Sequence, residues 1–195
     1  MPLTKIDEIK QVAGVKAAFP TYRFDVMTGQ AVTDERGGAD LIVASDPTEA
    51  AWSSLKTSYA QGHAIDADSS NEVVLGSKIA KELNKKIGET VDLPVKPTGA
   101  GGHSFNVVGI LDIAGTAPDN FAYVNITDGQ MLLKDSMAAA QREQVDVTTV
   151  AQGIDVFAKT GTSIADLDKI ADQINNQVKD VKATRPSRLL SGRAA

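Results

Sequence analysis

The sequence predicts an α+β fold: a split ferredoxin-like lobe built from both chain ends (1–49 plus 145–195), with a smaller α+β lobe inserted between them (50–144). Gln11 to Pro20 (QVAGVKAAFP) and Gln177 to Pro186 (QVKDVKATRP) agree at six of ten positions, each following a short amphipathic helical pattern. One helix-to-strand unit is thus stated twice, with chance agreement in a chain rich in Ala, Val and Lys as the plain alternative. The ends read helix, strand, strand and then strand, helix, strand, which is a ferredoxin-like layout without its first strand. The middle differs in character, with short strands and Gly-rich turns. Such a plan brings the termini near each other, so the domain suits insertion into a loop of another protein.

The elements follow in order. Thr4 and Asp7 have the spacing of an acidic capping box, and Ile6, Ile9 and Val12 recur at helical spacing until Gly14, predicting a helix over Lys5 to Ala13. Val15 to Phe19 is extended, and Tyr22 to Met27 alternates well enough to continue or restart a strand. Gly29, Gly37 and Gly38 mark turns before the apolar strand Asp40 to Ser45, which Asp46 and Pro47 close. A short helix follows in DPTEAAW, with Trp52 expected as an anchor in the core or at the seam between lobes.

In the middle, Glu72 to Leu75 is a strand, Ser77 to Asn84 a helix, and Thr90 to Val95 and Ser104 to Leu111 are antiparallel strands joined through Gly99 to Gly102. Phe121 to Ile126 is a further strand, with Phe121 and Tyr123 on one face and expected in the core. Thr127 with Gln130 matches a capping box for a helix through about Leu133, and Ser136 to Gln144 extends that helix or forms another. At the distal end Ile154 to Ala158 is a strand. Ser163 and Asp166 cap a helix that carries Ile164, Leu167, Ile170, Ile174 and Val178 on one face, and Val181 to Thr184 is the last strand.

Composition narrows function. A hydrophobic fraction of 42% supports a real core, and an aromatic share of 5% makes that core aliphatic. A net charge of −5 with scattered Lys and Arg argues against a general nucleic-acid or anionic-membrane surface. With no cysteine there is no thiol catalysis, disulfide or thiolate metal site. No apolar run reaches the 18 or more residues that span a bilayer, and MPLTKIDEIK lacks a signal-peptide core. Read literally this is a cytosolic protein; a chain that enters a helix at once equally suits an excised fragment.

No catalytic, cofactor-binding or metal-binding residue is assigned. GAGGHS (Gly99 to Ser104) lacks the Lys and Ser/Thr of a phosphate loop and precedes a strand. Asp66, Asp68, Ser70 and Glu72 alternate as in a calcium loop, but Asn71 replaces the turn glycine and Ser77 the closing acid. His63 and His103 are forty residues apart with no ligand spacing, and no G-x-S-x-G occurs. Asp112 and Asp119 fall in turns, where acids serve local hydrogen bonding. An enzyme is not expected.

Three segments, NEVVLGSKIAKELNKKIGETVDL (Asn71 to Leu93), FNVVGILDIAGTAPDN (Phe105 to Asn120) and FAYVNITDGQMLL (Phe121 to Leu133), resemble the extracytoplasmic core domain of MacB-like permeases, FtsX-superfamily subunits of ABC transporters. The resemblance covers most of the chain, with the middle carrying the specific motifs. Asn125 stands where a Pro is often found, and Asn84-Lys85-Lys86 where Phe and Gly are common, which weakens any transfer of partner specificity. The resemblance implies a porter-like lobe from the chain ends and an inserted sabre-like lobe. It also implies a place on the extracytoplasmic face of the bacterial cell membrane, reached only through flanking helices.

The partners it implies are a second permease copy and a cytoplasmic ATP-binding subunit, with an adaptor protein or a peptide or lipoprotein substrate as further candidates. Expected on this reading is a non-catalytic domain, monomeric when isolated, that couples ATP-driven motion to export or release by hinging near Ala50 and Gln144. The alternative is a free-standing secreted or surface module that binds a peptide or small solute between its lobes. A small hydrolase would need a catalytic cluster assembled by the fold.

Overall fold

In the computed structural model, residues 1–32, 40–53, 56–66, 68–95 and 102–191 are described. The fold is α+β, as expected. Eight strands form one sheet: β1 (Ala17–Asp25), β2 (Leu41–Ala44), β3 (Tyr59–Gly62), β4 (Glu72–Leu75), β5 (Thr90–Leu93), β6 (His103–Leu111), β7 (Phe121–Val124) and β8 (Gly153–Phe157). Their order is β3-β6-β4-β7-β2-β1-β8, with β5 also paired to β6. The helices are α1 (Lys5–Lys10), α2 (Ser77–Glu82), α3 (Ile126–Ser136), α4 (Ala139–Arg142), α5 (Ile164–Gln177) and α6 (Pro186–Ser191). No helix among the described residues is long and apolar enough to cross a membrane.

The sheet runs straight across the sequence division at residues 49 and 145. β2, from the N-terminal segment, pairs in parallel with β7 from the middle, Leu41 opposite Phe121 through Ala44 opposite Val124. The larger hydrophobic cluster likewise unites Tyr22, Phe24 and Ile42 with Val73, Leu75 and Phe105. α3 lies across β1 and β2. A backbone ladder and a shared core thus join the two portions on either side of the expected hinge near Ala50 and Gln144. A smaller cluster joins Ile9, Val12, Val15 and Ala18 to Ile174 and Val178, seating α1 and α5 against the β1–β8 end.

The internal repeat is real at its helix-ending half. Gly14 and Asp180 occupy equivalent positions and both have positive φ, 92° and 58°. Val12 with Val15 and Val178 with Val181 meet in the same cluster. A left-handed residue at each helix end redirects the chain in the same way. Then the copies part. Val15 leads into β1, whereas Val181 to Thr184 is not a strand, because the Asn175 side chain takes both backbone groups of Ala183. Its amide donates to the carbonyl (3.0 Å) and its oxygen accepts from the N–H (2.7 Å).

Other differences are local. The two segments before and after Pro20 form one strand, β1, whose first half pairs with β8 and second half with β2. Pro20 is tolerated because β1 has only one neighbour there. Thr4 makes no capping bond. α3 is capped by Asn125, whose side-chain oxygen accepts from Asp128 N at 2.8 Å, so Thr127 falls inside its first turn and β7 stops at Val124. Ser163 does cap α5, accepting from Asp166 N at 3.2 Å. The DPTEAAW segment is a 3-10 turn, Pro47–Ala51, capped by Asp46. Trp52 is 43% exposed and anchors no core. Gly37, Gly38 and Gly99 to Gly101 lie outside the described residues.

Candidate functional site: an acidic cavity on the open sheet face

Side chains alternate across a strand, so each strand divides its residues between two faces. Tyr22, Phe24, Ile42, Ala44, Ala122 and Val124 belong to the cluster beneath α3. Their strand neighbours Arg23, Val43, Phe121 and Tyr123 take the opposite face, where they line a cavity of about 320 Å³. The 3-10 turn at Pro47–Ala51 and the segment from Thr57 to Ile65 also line it. Phe121 and Tyr123, expected in the core, are only half-buried; their rings meet edge-to-face at 5.9 Å.

At the β1–β8 end of this cavity three charged groups converge. Arg23 Nη2 donates to both carboxylate oxygens of Asp155, at 2.8 and 3.2 Å, across the antiparallel β1–β8 pair. Glu49, on the 3-10 turn, faces the same carboxylate. Its Oε2 is buried and accepts no hydrogen bond among the described residues. Burial pushes the Glu49 carboxyl up to about 7; the Asp155 carboxylate adds to this and Arg23 opposes it. Burial also raises the Tyr59 and Tyr123 phenols, which therefore stay neutral.

A carboxyl whose folded-state pKa lies above its unfolded value binds its proton more tightly when folded. Its contribution to the fold is complete below about pH 4.5 and is lost as pH rises through about 7. Full burial would make this shift worth about 3 kcal/mol, and partial solvent access reduces it to about 1–2 kcal/mol. Glu49→Gln is therefore expected to stabilise the chain by about 1–2 kcal/mol at pH 8 and to change little at pH 5, measured by urea unfolding. Equal effects at both pH values would show that Glu49 is not desolvated.

The residues weighed in the sequence are dispersed. His63 Nδ1 meets the Ala64 carbonyl at 2.7 Å, and His103 Nε2 meets Asp135 on α3 at 2.5 Å. Ser69 bonds Glu72 and the Asp66 carbonyl, closing that loop upon itself. No group of three His, Cys, Asp or Glu able to hold a metal occurs among the described residues. Asp112 accepts from Ser58 Oγ at 2.5 Å. Asp119 is buried and accepts from Ala114 N, Gly115 N and Ser77 Oγ, the first of these doing most to hold its carboxyl below the usual range. Arg23, Glu49 and Asp155 were not singled out from sequence. The available signal was opposite charges inside two apolar strands, TYRFD and GIDVF, without the pairing that joins them.

A mixed sheet with helices on one face and a partly roofed cavity on the other makes this an α+β domain. The profile of the MacB-like periplasmic core domain matches residues 1–177, and the chain belongs to that family of extracytoplasmic domains. Its fold is similar to the periplasmic region of MacB from Actinobacillus actinomycetemcomitans, at 12% identity and a TM-score of 0.55, covering 100% of this chain and 84% of that one. It is also similar to the extracellular domain of the noncanonic ABC-type transporter YknZ from Gram-positive bacteria, at 15% identity and a TM-score of 0.53, covering 94% and 87%. No curated protein matches the chain.

Proposed function

We propose that this extracytoplasmic domain is a non-catalytic part of an ABC transporter permease and carries ATP-driven motion to a substrate or partner as a single body. The observation that carries the mechanical part is the β2–β7 ladder, which ties the portion 1–49 plus 145–195 to the portion 50–144 in one sheet. Family membership and the fold shared with MacB and YknZ support the transporter setting. The porter-like and sabre-like portions are then two ends of one lever. The second permease copy and the cytoplasmic ATP-binding subunit are its proposed partners.

Two readings test this. Sequence flanking residues 1 and 195 is expected to hold apolar spans of about twenty residues; their absence would return the secreted binding module to first place. In the assembled transporter, spin labels at exposed Lys10 and Glu82 report on the two portions. Their separation is expected to stay constant through the ATP cycle while distances between the two permease copies change. A change between Lys10 and Glu82 would restore the hinge and overturn the single-body mechanism.

A further inference from the structure

We propose that the cavity on the open sheet face binds a small organic ammonium ion with an apolar body, its charged head seated on Glu49 beside Asp155. This goes beyond transmission of motion and stands independently of it.

Charge balance carries the argument. Asp46, Glu49 and Asp155 line the cavity against Arg23, its one cationic lining residue among the described residues. Arg23 forks onto Asp155. Asp46 Oδ1 already accepts from Thr48 N at 2.8 Å and Thr48 Oγ1 at 2.5 Å. Glu49 lies against the Asp155 carboxyl, a bond the pair can make only while one of them holds a proton, and its buried Oε2 accepts nothing among the described residues. A buried carboxylate in this situation either keeps a proton or takes a donor carrying positive charge, and charge-assisted bonds of that kind are among the stronger ones.

The walls select the rest of the ligand. Val43, Val74, Leu111, Phe121 and Tyr123 line the cavity, and aromatic faces near a carboxylate favour an ammonium through cation–π attraction. At about 320 Å³ it lies at the small end of ligand pockets, suited to a single ring or short aliphatic chain. An anion would meet the carboxylates, and a neutral molecule would leave Glu49 as it is.

The test titrates the purified chain with 2-phenylethylammonium by calorimetry and NMR, with 2-phenylethanol and 3-phenylpropionate as shape-matched controls. Saturable ammonium binding is expected, with neither control binding comparably. Because the cation needs ionised Glu49, whose carboxyl titrates near 7, affinity should rise about tenfold from pH 6 to pH 8, with proton release at neutral pH. Glu49→Gln, checked for unchanged melting at pH 5, should lose at least about tenfold in affinity at pH 8 and abolish the pH dependence. The wild-type pH profile stands even if that variant folds poorly. Absence of saturation at millimolar ammonium, equal binding of the alcohol, or a flat pH profile would each overturn the proposal.

Discussion

Gly129→Val is expected to destabilise the domain by about 3 kcal/mol or more. Gly129 lies in α3 where the helix crosses β1 and β2. A Cβ built there would stand 2.3 Å from the Ala44 Cβ and 3.3 Å from the Tyr22 ring. Ala44 and Tyr22 are fully buried, and Ala44 sits in β2, which is laddered to β1 on one side and to β7 on the other, so the sheet resists yielding there. The helix must lift instead, opening contacts along its whole apolar face. A gain in helix propensity over glycine, below about 1 kcal/mol, does not offset this. Guanidinium unfolding followed by tryptophan-independent far-UV CD would measure it; a loss under about 1 kcal/mol would mean that α3 does not sit at this distance. Because α3 belongs to the middle portion and β1 and β2 to the N-terminal segment, the same variant in the transporter should weaken the coupling between portions as well.

Asp119→Ala is expected to cost about 2–4 kcal/mol. Its carboxylate satisfies the N–H groups of Ala114 and Gly115 at 2.9 and 2.7 Å and the Ser77 hydroxyl at 2.9 Å, tying the loop before β7 to the start of α2. Truncation strands these donors where only 8% of the residue reaches solvent. Nearby Gly76 has no slack to absorb a shift, since a Cβ there would lie 2.2 Å from the Pro118 carbonyl oxygen. Ser77→Ala removes one of the three bonds and should cost only about 0.5–1.5 kcal/mol. Paired urea unfolding of the two variants separates the network from the single bond. The pH sign follows from the lowered carboxyl: the contribution is complete above the ordinary carboxylate range and is lost as pH falls through the folded-state value. An Asp119→Ala deficit that persists undiminished in acid would contradict the assignment.

Elements whose cause is local were legible in the chain itself. Glu72 to Leu75 is a strand at its expected bounds because Val73 and Val74 lie in a short segment between turn signals. The α5 cap at Ser163 was readable for the same reason, as was the part of its apolar face that packs, Ile170, Ile174 and Val178, whereas Ile164 is exposed. The equivalence of Gly14 and Asp180 follows from a repeated pattern that needs no distant partner. Failures share a cause too. Val181 to Thr184 has strand propensity but lost its backbone groups to Asn175, a contact that no propensity encodes. Trp52 has the size and apolar character of an anchor for the core or for the seam between lobes, and the short 3-10 turn before it leaves the ring exposed.

The sequence by itself determined the α+β class, the exclusion of thiol chemistry, and the family, since each rests on composition, periodicity or contiguous motifs; strand β3 (Tyr59–Gly62), exposed along its length, carried no such signal. Only the tertiary structure decided that the two portions share one sheet, through a parallel pairing of β2 and β7 that are some eighty residues apart. It alone brought Arg23, Glu49 and Asp155 to one cavity from two strands and a 3-10 turn. The physical reason is the same for both: strand order and the desolvation of a carboxyl depend on which distant surfaces meet, and a one-dimensional pattern carries the propensity of each surface but not its partner.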